Sequence, residues 1–296
     1  MIKNFKIAWS LLSAIVFVGF IFPGWVQAAD PTKVFVSILP QKYFVEQIGK
    51  DLVDVRVMVK PGTSPVTYEP KPKQLADVSK AMIYFSIGVP FEKVWLKKIA
   101  AANPQMKVVH TDHGIEKIPM AAHARHDQRE HHDHGILDPH IWLSPPLVKM
   151  QAYTILSAFQ QFDPSHGTVY QTNYHEFVSK IHELDGQLKT TFADKQGLRF
   201  LVFHPAWGYF ARAYGIEQVP IEIEGKDPKP ARLKKLIEHA RENHITVVFV
   251  QPQFSTKSAD LVGKEIGGQV VFANPLAEDW MANLREVADK FKAALK

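Results

Sequence analysis

The stretch HHDHGILDPHIW, residues 131–142, holds four histidines in two settings. His131, His132 and His134 lie in a polar run that also carries Asp127, Glu130 and Asp133, with His123 and His126 upstream. Clustered imidazoles among carboxylates can collect zinc weakly, with little geometric demand. The other reading is a solvated linker whose histidines do nothing. His140 is different: Asp138 and Pro139 restrict its approach, and Ile141, Trp142 and Leu143 give it an apolar backing. A neutral imidazole held rigidly beside apolar walls is a good ligand for a borderline metal ion. On this residue alone, a histidine that caps a helix or bonds a backbone carbonyl is the stronger reading. His204 ends the apolar run RFLVFH and precedes PAWGYF. In a parallel sheet, ligands bind beyond the carboxyl ends of strands, so its position says more than its identity.

These residues need a scaffold, and composition bounds it. The chain has 296 residues, 46% hydrophobic and 22% charged, which fits one large or two medium globular domains. There is no cysteine, so there is no disulfide framework and no thiolate ligand or nucleophile. The formal charge is +5, but basic residues are spread along the chain, so no nucleic-acid partner is expected. The N-terminus carries Lys3 and Lys6, then an apolar stretch from Ile7 to Phe22, then Val26 and Ala28 before a cut after residue 28. Those are the parts of a secretory signal peptide over 1–28; a retained membrane anchor is the alternative. Without a cysteine at the cut, no lipid anchor is expected, and the periplasm is the expected compartment.

Strand and helix patterns alternate along the rest. KVFVSIL, VDVRVMV, MIYFSIG and MKVVHT read as strands, with helical QKYFVEQIGK, KQLADVSKA and FEKVWLKKIAAA between them. A polar interval, about 111–137, reads as a loop. Helical patterns follow over about 146–162 and 168–194. The alternation restarts with RFLVFH, EQVPIEIEG, ITVVFVQ and QVVFAN as strands, and it closes on a helix from EDWMANL onward. The expected fold is α/β. Two lobes, 29–165 and 196–296, each carry a mainly parallel sheet flanked by helices, and one long rigid helix over 166–195 joins them. The run IEIEGKDPKP, with Glu222, Glu224 and Asp227, reads as a solvated face, with a role at the cleft as the alternative. His175 and His182 are expected on the solvent side of the long helix.

Four segments together resemble the periplasmic solute-binding proteins of zinc and manganese ABC transporters. They are GTSPVTYEPKPKQLADVSKAMIYFSIGVPFEKVWL, DPHIWLSP, LVFHPAWGYFARAYGI and NPLAEDW, in that order along nearly the whole mature chain. The resemblance implies a metal site in the cleft between the lobes and delivery of the ion to a membrane permease. The family's usual ligands are a histidine in PHxYEP, the histidine of DPHxWL, a histidine or glutamate after a second-lobe strand, and an aspartate before PL. By that pattern His140 and His204 are ligands here, and a histidine in the third place resembles zinc members more than manganese members. The first position is instead Val66, and the last is Asn274, a poor zinc donor beside a carboxylate. Two strong ligands do not close a tetrahedral site. Water, a histidine of the 123–134 loop, Glu224, Asp279 or Glu69 are candidates to complete it, with a loop histidine or water ranked first. That loop resembles the histidine-rich loop of zinc-specific members.

The expected function is therefore capture of a divalent ion, zinc ahead of manganese, by a monomeric, non-enzymatic binding protein that serves a permease. A periplasmic zinc buffer without a permease is an alternative. A secreted zinc hydrolase is a weaker one, since no HExxH or related spacing occurs.

Overall fold

The computed structural model describes residues 30–120, 136–222, 229–254 and 256–295. The expected signal peptide, the histidines of the 123–134 run (His123, His126, His131, His132 and His134) and Glu224 lie outside the described residues.

The first lobe runs β1 (Thr32–Val36), α1 (Leu39–Gly49), β2 (Val53–Val57), α2 (Pro72–Val78), β3 (Ile83–Ser86), α3 (Pro90–Ala102) and β4 (Lys107–His110). All its strand pairs are parallel, in the order β2-β1-β3-β4. Runs such as Val34-Phe35-Val36 and Ile83-Tyr84-Phe85 are buried without alternation, as strands covered on both faces require. Prolines open α2 and α3, where a missing N–H costs nothing.

Two long helices follow, α4 (Pro145–Phe162) and α5 (Gly167–Thr191). α5 buries Tyr170, Phe177, Ile181, Leu184 and Leu188, one helical stripe, and leaves His175 and His182 in solvent. The second lobe then repeats the scheme of the first with β5 (Arg199–Val202), α6 (Gly208–Tyr214), β6 (Glu217–Pro220), α7 (Pro230–Glu242), β7 (Val247–Val250), α8 (Lys257–Glu265) and β8 (Gln269–Phe272). Its order, β6-β5-β7-β8, is again wholly parallel. Gly215 ends α6 with φ near 70°, a left-handed cap that suits glycine. The closing helix is α9 (Trp280–Ala294).

The main apolar core passes through both lobes. Phe44, Phe177 and Trp280 meet on one side, and Phe200, Phe249 and Phe291 on the other, so α9 packs on both. Hydrogen bonds add to this. Trp142 Nε1 donates to the Pro275 carbonyl at 2.7 Å, and Trp280 Nε1 donates to the Trp142 carbonyl at 2.6 Å. Tyr209 Oη donates to the Asp138 carbonyl at 2.9 Å and accepts from the Ile118 amide at 3.0 Å. Among the described residues no helix is long and apolar enough to cross a membrane.

One expected element is shorter than its pattern. The sequence reads EQVPIEIEG as one strand, but β6 ends at Pro220. The chain still follows β5 for two more residues, with Ile221 N donating to Val202 O at 2.8 Å and Glu222 N to Phe203 O at 3.1 Å. That carries Glu222 to the mouth of the sheet.

Candidate metal centre

In each sheet the strand order reverses beside the first strand of the lobe, between β1 and β3 and between β5 and β7. The carboxyl ends at such a reversal leave a crevice. His204 stands just beyond β5 in the second of these crevices. Its backbone is fixed by Gln251, whose Oε1 accepts from His204 N at 3.1 Å and whose Nε2 donates to His204 O at 2.6 Å. Its ring stacks on Phe254, with centroids 4.9 Å apart.

His140 comes from the first lobe. The segment before it is pinned by an antiparallel bridge between Pro119 and Leu137, with Asp138 N donating to Ile118 O at 2.9 Å. After it, Ile141–Leu143 forms a fully buried 3₁₀ turn. Trp142 packs its ring 5.0 Å from the imidazole. The two histidines meet with ring centroids 5.2 Å apart and planes inclined by 72°.

Each ring is held in the same way. His140 Nδ1 lies 2.6 Å from Asp138 Oδ1, and His204 Nδ1 lies 2.5 Å from Glu222 Oε1. Asp138 and Glu222 are each 1% exposed. A buried carboxylate can only accept here, so each Nδ1 carries the proton and each Nε2 keeps its lone pair. Burial holds the His140 pKa below the ordinary imidazole value, an effect that the adjacent Asp138 partly opposes. The neutral, ligating form is therefore the favoured one. Among the described residues, Asp138 Oδ2 and Glu222 Oε2 have no hydrogen-bond partner. Two carboxylates behind two neutral rings give a field that favours a cation.

The fit around Asp138 is close. A Cβ on Gly208, at the start of α6, would come within 2.8 Å of Asp138 Oδ2, so glycine is needed for this approach.

The rings border a cavity of about 70 Å³ whose wall also includes Val66, Lys93, Met120, Gln253 and Leu276. Organic ligands usually need roughly 300–1,000 Å³, so the space suits an ion. Val66 borders this cavity and is 45% exposed. The other candidates are elsewhere. Asn274 borders a neighbouring cavity, and its Oδ1 already accepts from Leu276 N at 3.0 Å and Gln253 Nε2 at 3.2 Å. Glu69 is exposed and borders a separate groove with Arg56 and Lys73. Asp279 is exposed and caps α9, accepting from Ala282 N at 3.1 Å. Among the described residues, no group of three His, Cys, Asp or Glu side chains could hold an ion.

Sequence reasoning left two partners unassigned. Glu222 reads first as part of a solvated run, with a role at the cleft as the alternative, and the structure favours the alternative for this residue, because the extension past β6 buries it against His204. Its placement between two isoleucines, on alternate positions beside a strand, was the available signal. Gln251 gave no signal beyond its place after ITVVFV.

Known proteins give the context. The family model for the periplasmic zinc-uptake complex component A matches residues 34–294. The high-affinity zinc uptake system protein ZnuA of Bacillus subtilis (strain 168) is 30% identical over 253 residues, which is 83% of this chain and 79% of the relative. The zinc-binding lipoprotein AdcA of Streptococcus pneumoniae (strain ATCC BAA-255 / R6) is 26% identical, over 91% of this chain and 56% of AdcA. Among solved structures, a ZnuA deletion mutant with zinc bound is 43% identical and superposes with a TM-score of 0.83, over 90% of this chain and 99% of that one. A second ZnuA crystal structure, also 43% identical, gives 0.84 over 90% of this chain and 100% of that one. With its two parallel four-stranded sheets and this match over nearly all its described length, the chain belongs to the periplasmic zinc-uptake complex component A family.

Proposed function

We propose that this protein captures a zinc ion in the periplasm between His140 and His204 and delivers it to an ABC-transporter permease, without catalysis. The observation that carries the reading is the pairing of the two imidazoles, 5.2 Å apart, each held on its Nδ1 by a buried carboxylate. That arrangement frees both Nε2 atoms for one ion. Zinc is preferred because two imidazoles suit a borderline cation better than a hard one. The similarity to ZnuA and AdcA, both named for zinc, supports the same ion. Membership of a zinc-uptake family supports delivery to a permease. The lobes 29–165 and 196–296, the connecting segment 166–195 and the signal peptide 1–28 remain the proposed organisation.

The test is a competition titration of zinc against a chromophoric chelator, with wild type, His140→Ala and His204→Ala. Each substitution should weaken binding by at least about ten-fold. Unchanged affinity in both variants would place the ion elsewhere and end the proposal.

A further inference from the structure

We propose that the side-chain amide oxygen of Gln253 is a third protein ligand to the ion held by His140 and His204. The inference rests on the function proposed above and adds a residue to its site. Gln253 lies just beyond the carboxyl end of β7, the strand that pairs directly with β5 through Leu201–Val248 and Val202–Phe249. It therefore leaves the sheet at the crevice that holds His204, and it borders the same cavity as both histidines.

The orientation of its amide is fixed by a chain of hydrogen bonds. The Leu276 backbone N–H can only donate, so the Asn274 atom it meets at 3.0 Å is the oxygen. That oxygen also receives Gln253 Nε2 at 3.2 Å. Gln253 is thus bound to point its NH₂ at Asn274 and its carbonyl oxygen the other way. Gln253 Oε1 is buried and, among the described residues, has no hydrogen-bond donor. Native proteins rarely leave a buried amide oxygen unpaired; Gln253 borders both the histidine cavity and its neighbour, and in the first of these a cation held by the two rings would satisfy the oxygen.

The donor count agrees. His140 and His204 are two ligands, and no third His, Cys, Asp or Glu joins them among the described residues. The charges are compatible as well. Asp138 and Glu222 lie behind the rings, Lys93 also borders the cavity, and a neutral oxygen adds a third donor without adding charge. Asn274 then acts through Gln253, as the residue that aims it.

The experiment is a zinc–chelator competition at neutral pH on the full chain, with zinc as the probe and with Gln253→Leu, Gln253→Glu and His140→Ala. Thermal melts of the metal-free proteins check folding. A ligand role predicts that Gln253→Leu weakens zinc by about ten-fold or more, and that Gln253→Glu tightens it by a similar factor, since a carboxylate is the stronger donor. A role confined to holding Asn274 predicts the opposite sign for Gln253→Glu, which cannot donate to the Asn274 oxygen, and that result overturns the proposal even if Gln253→Leu fails to fold. Gln253→Leu within two-fold of wild type, with His140→Ala strongly weakened, overturns Gln253 alone. Full affinity in His140→Ala overturns the underlying site.

Discussion

His140 and His204 stand apart from the other described histidines because each has its Nδ1 tied to a carboxylate that is itself buried. His166, by comparison, bonds Asp163 at the surface. The carboxylates set both the tautomer and the ring direction, so they should matter nearly as much as the rings. In Glu222→Gln, the amide can offer an N–H to Nδ1, which would move the ring proton to Nε2 and block the lone pair. Asp138→Asn removes the charge behind His140. Each variant should lose about 10- to 100-fold in zinc affinity, read by chelator competition, with little change in the metal-free melting temperature. Affinity within two-fold of wild type would contradict the role given to the carboxylates. Val66 poses the reverse case, since it borders the ion cavity with a side chain that cannot coordinate. Val66→His should tighten zinc binding by about ten-fold or more, because one added ligand is a sizeable part of the order of 10 kcal/mol seen for complete zinc sites. Asn274→Asp should add little by itself, because the oxygen at that position stays with Leu276 N and Gln253 Nε2. An unchanged or weaker affinity in Val66→His would show that the site already has its full ligand set.

At the scale of elements, the turn from β3 into α3 supports one wall of the cavity. Glu92, in the first turn of α3, accepts from Ile87 N at 3.0 Å and Gly88 N at 2.8 Å. It also accepts from the Ser37 hydroxyl, which in turn bonds the Tyr84 hydroxyl at 2.8 Å. Gly88 and Val89 border the cavity. Burial pushes the Glu92 carboxyl up to about 7, aided by the nearby Asp112 and opposed by the hydrogen bonds from Ser37, Ile87 and Gly88. The folded chain thus keeps a proton that the unfolded chain releases from about pH 4.5 upward. This contribution is full below that pH and is lost as pH rises through about 7, a change on the order of 3 kcal/mol. Glu92→Gln, which keeps the shape and has no titration, should flatten that part of the stability curve. Urea midpoints at pH 5.5 and 8 would show it, and equal pH dependence in both proteins would refute it. The elements themselves were readable because their causes are local. Unbroken apolar runs marked buried parallel strands, and the stripe from Tyr170 to Leu188 marked α5. Glu222 could not be assigned to the site from sequence because its burial comes from two backbone bonds to β5, far away in sequence. The orphaned oxygen of Gln253 was unreadable for the same reason, since it depends on Asn274 and Leu276. His140 and His204 could be named from their settings, but their mutual distance could not.

Across the whole molecule, the site is assembled from two lobes that are already fastened together. Trp142 bonds Pro275 in the second lobe and receives Trp280, while Tyr209 reaches back to Asp138 and Ile118. Lys42 pairs with Glu278 at the rim. α5 and α9 pack on each other beneath the cleft. Separating the lobes would expose these aromatic rings and leave buried donors unpaired, so small rocking rather than wide opening is the expected motion. In the proposed site one ion is shared by a histidine from each lobe. A crystal structure of the protein grown with one equivalent of zinc, with data collected at the zinc absorption edge, tests this most directly. The account predicts a single strong anomalous peak at about 2.0–2.1 Å from Nε2 of both His140 and His204, with the Asp138 and Glu222 contacts to Nδ1 intact. A peak coordinated without His140 or without His204 would contradict it.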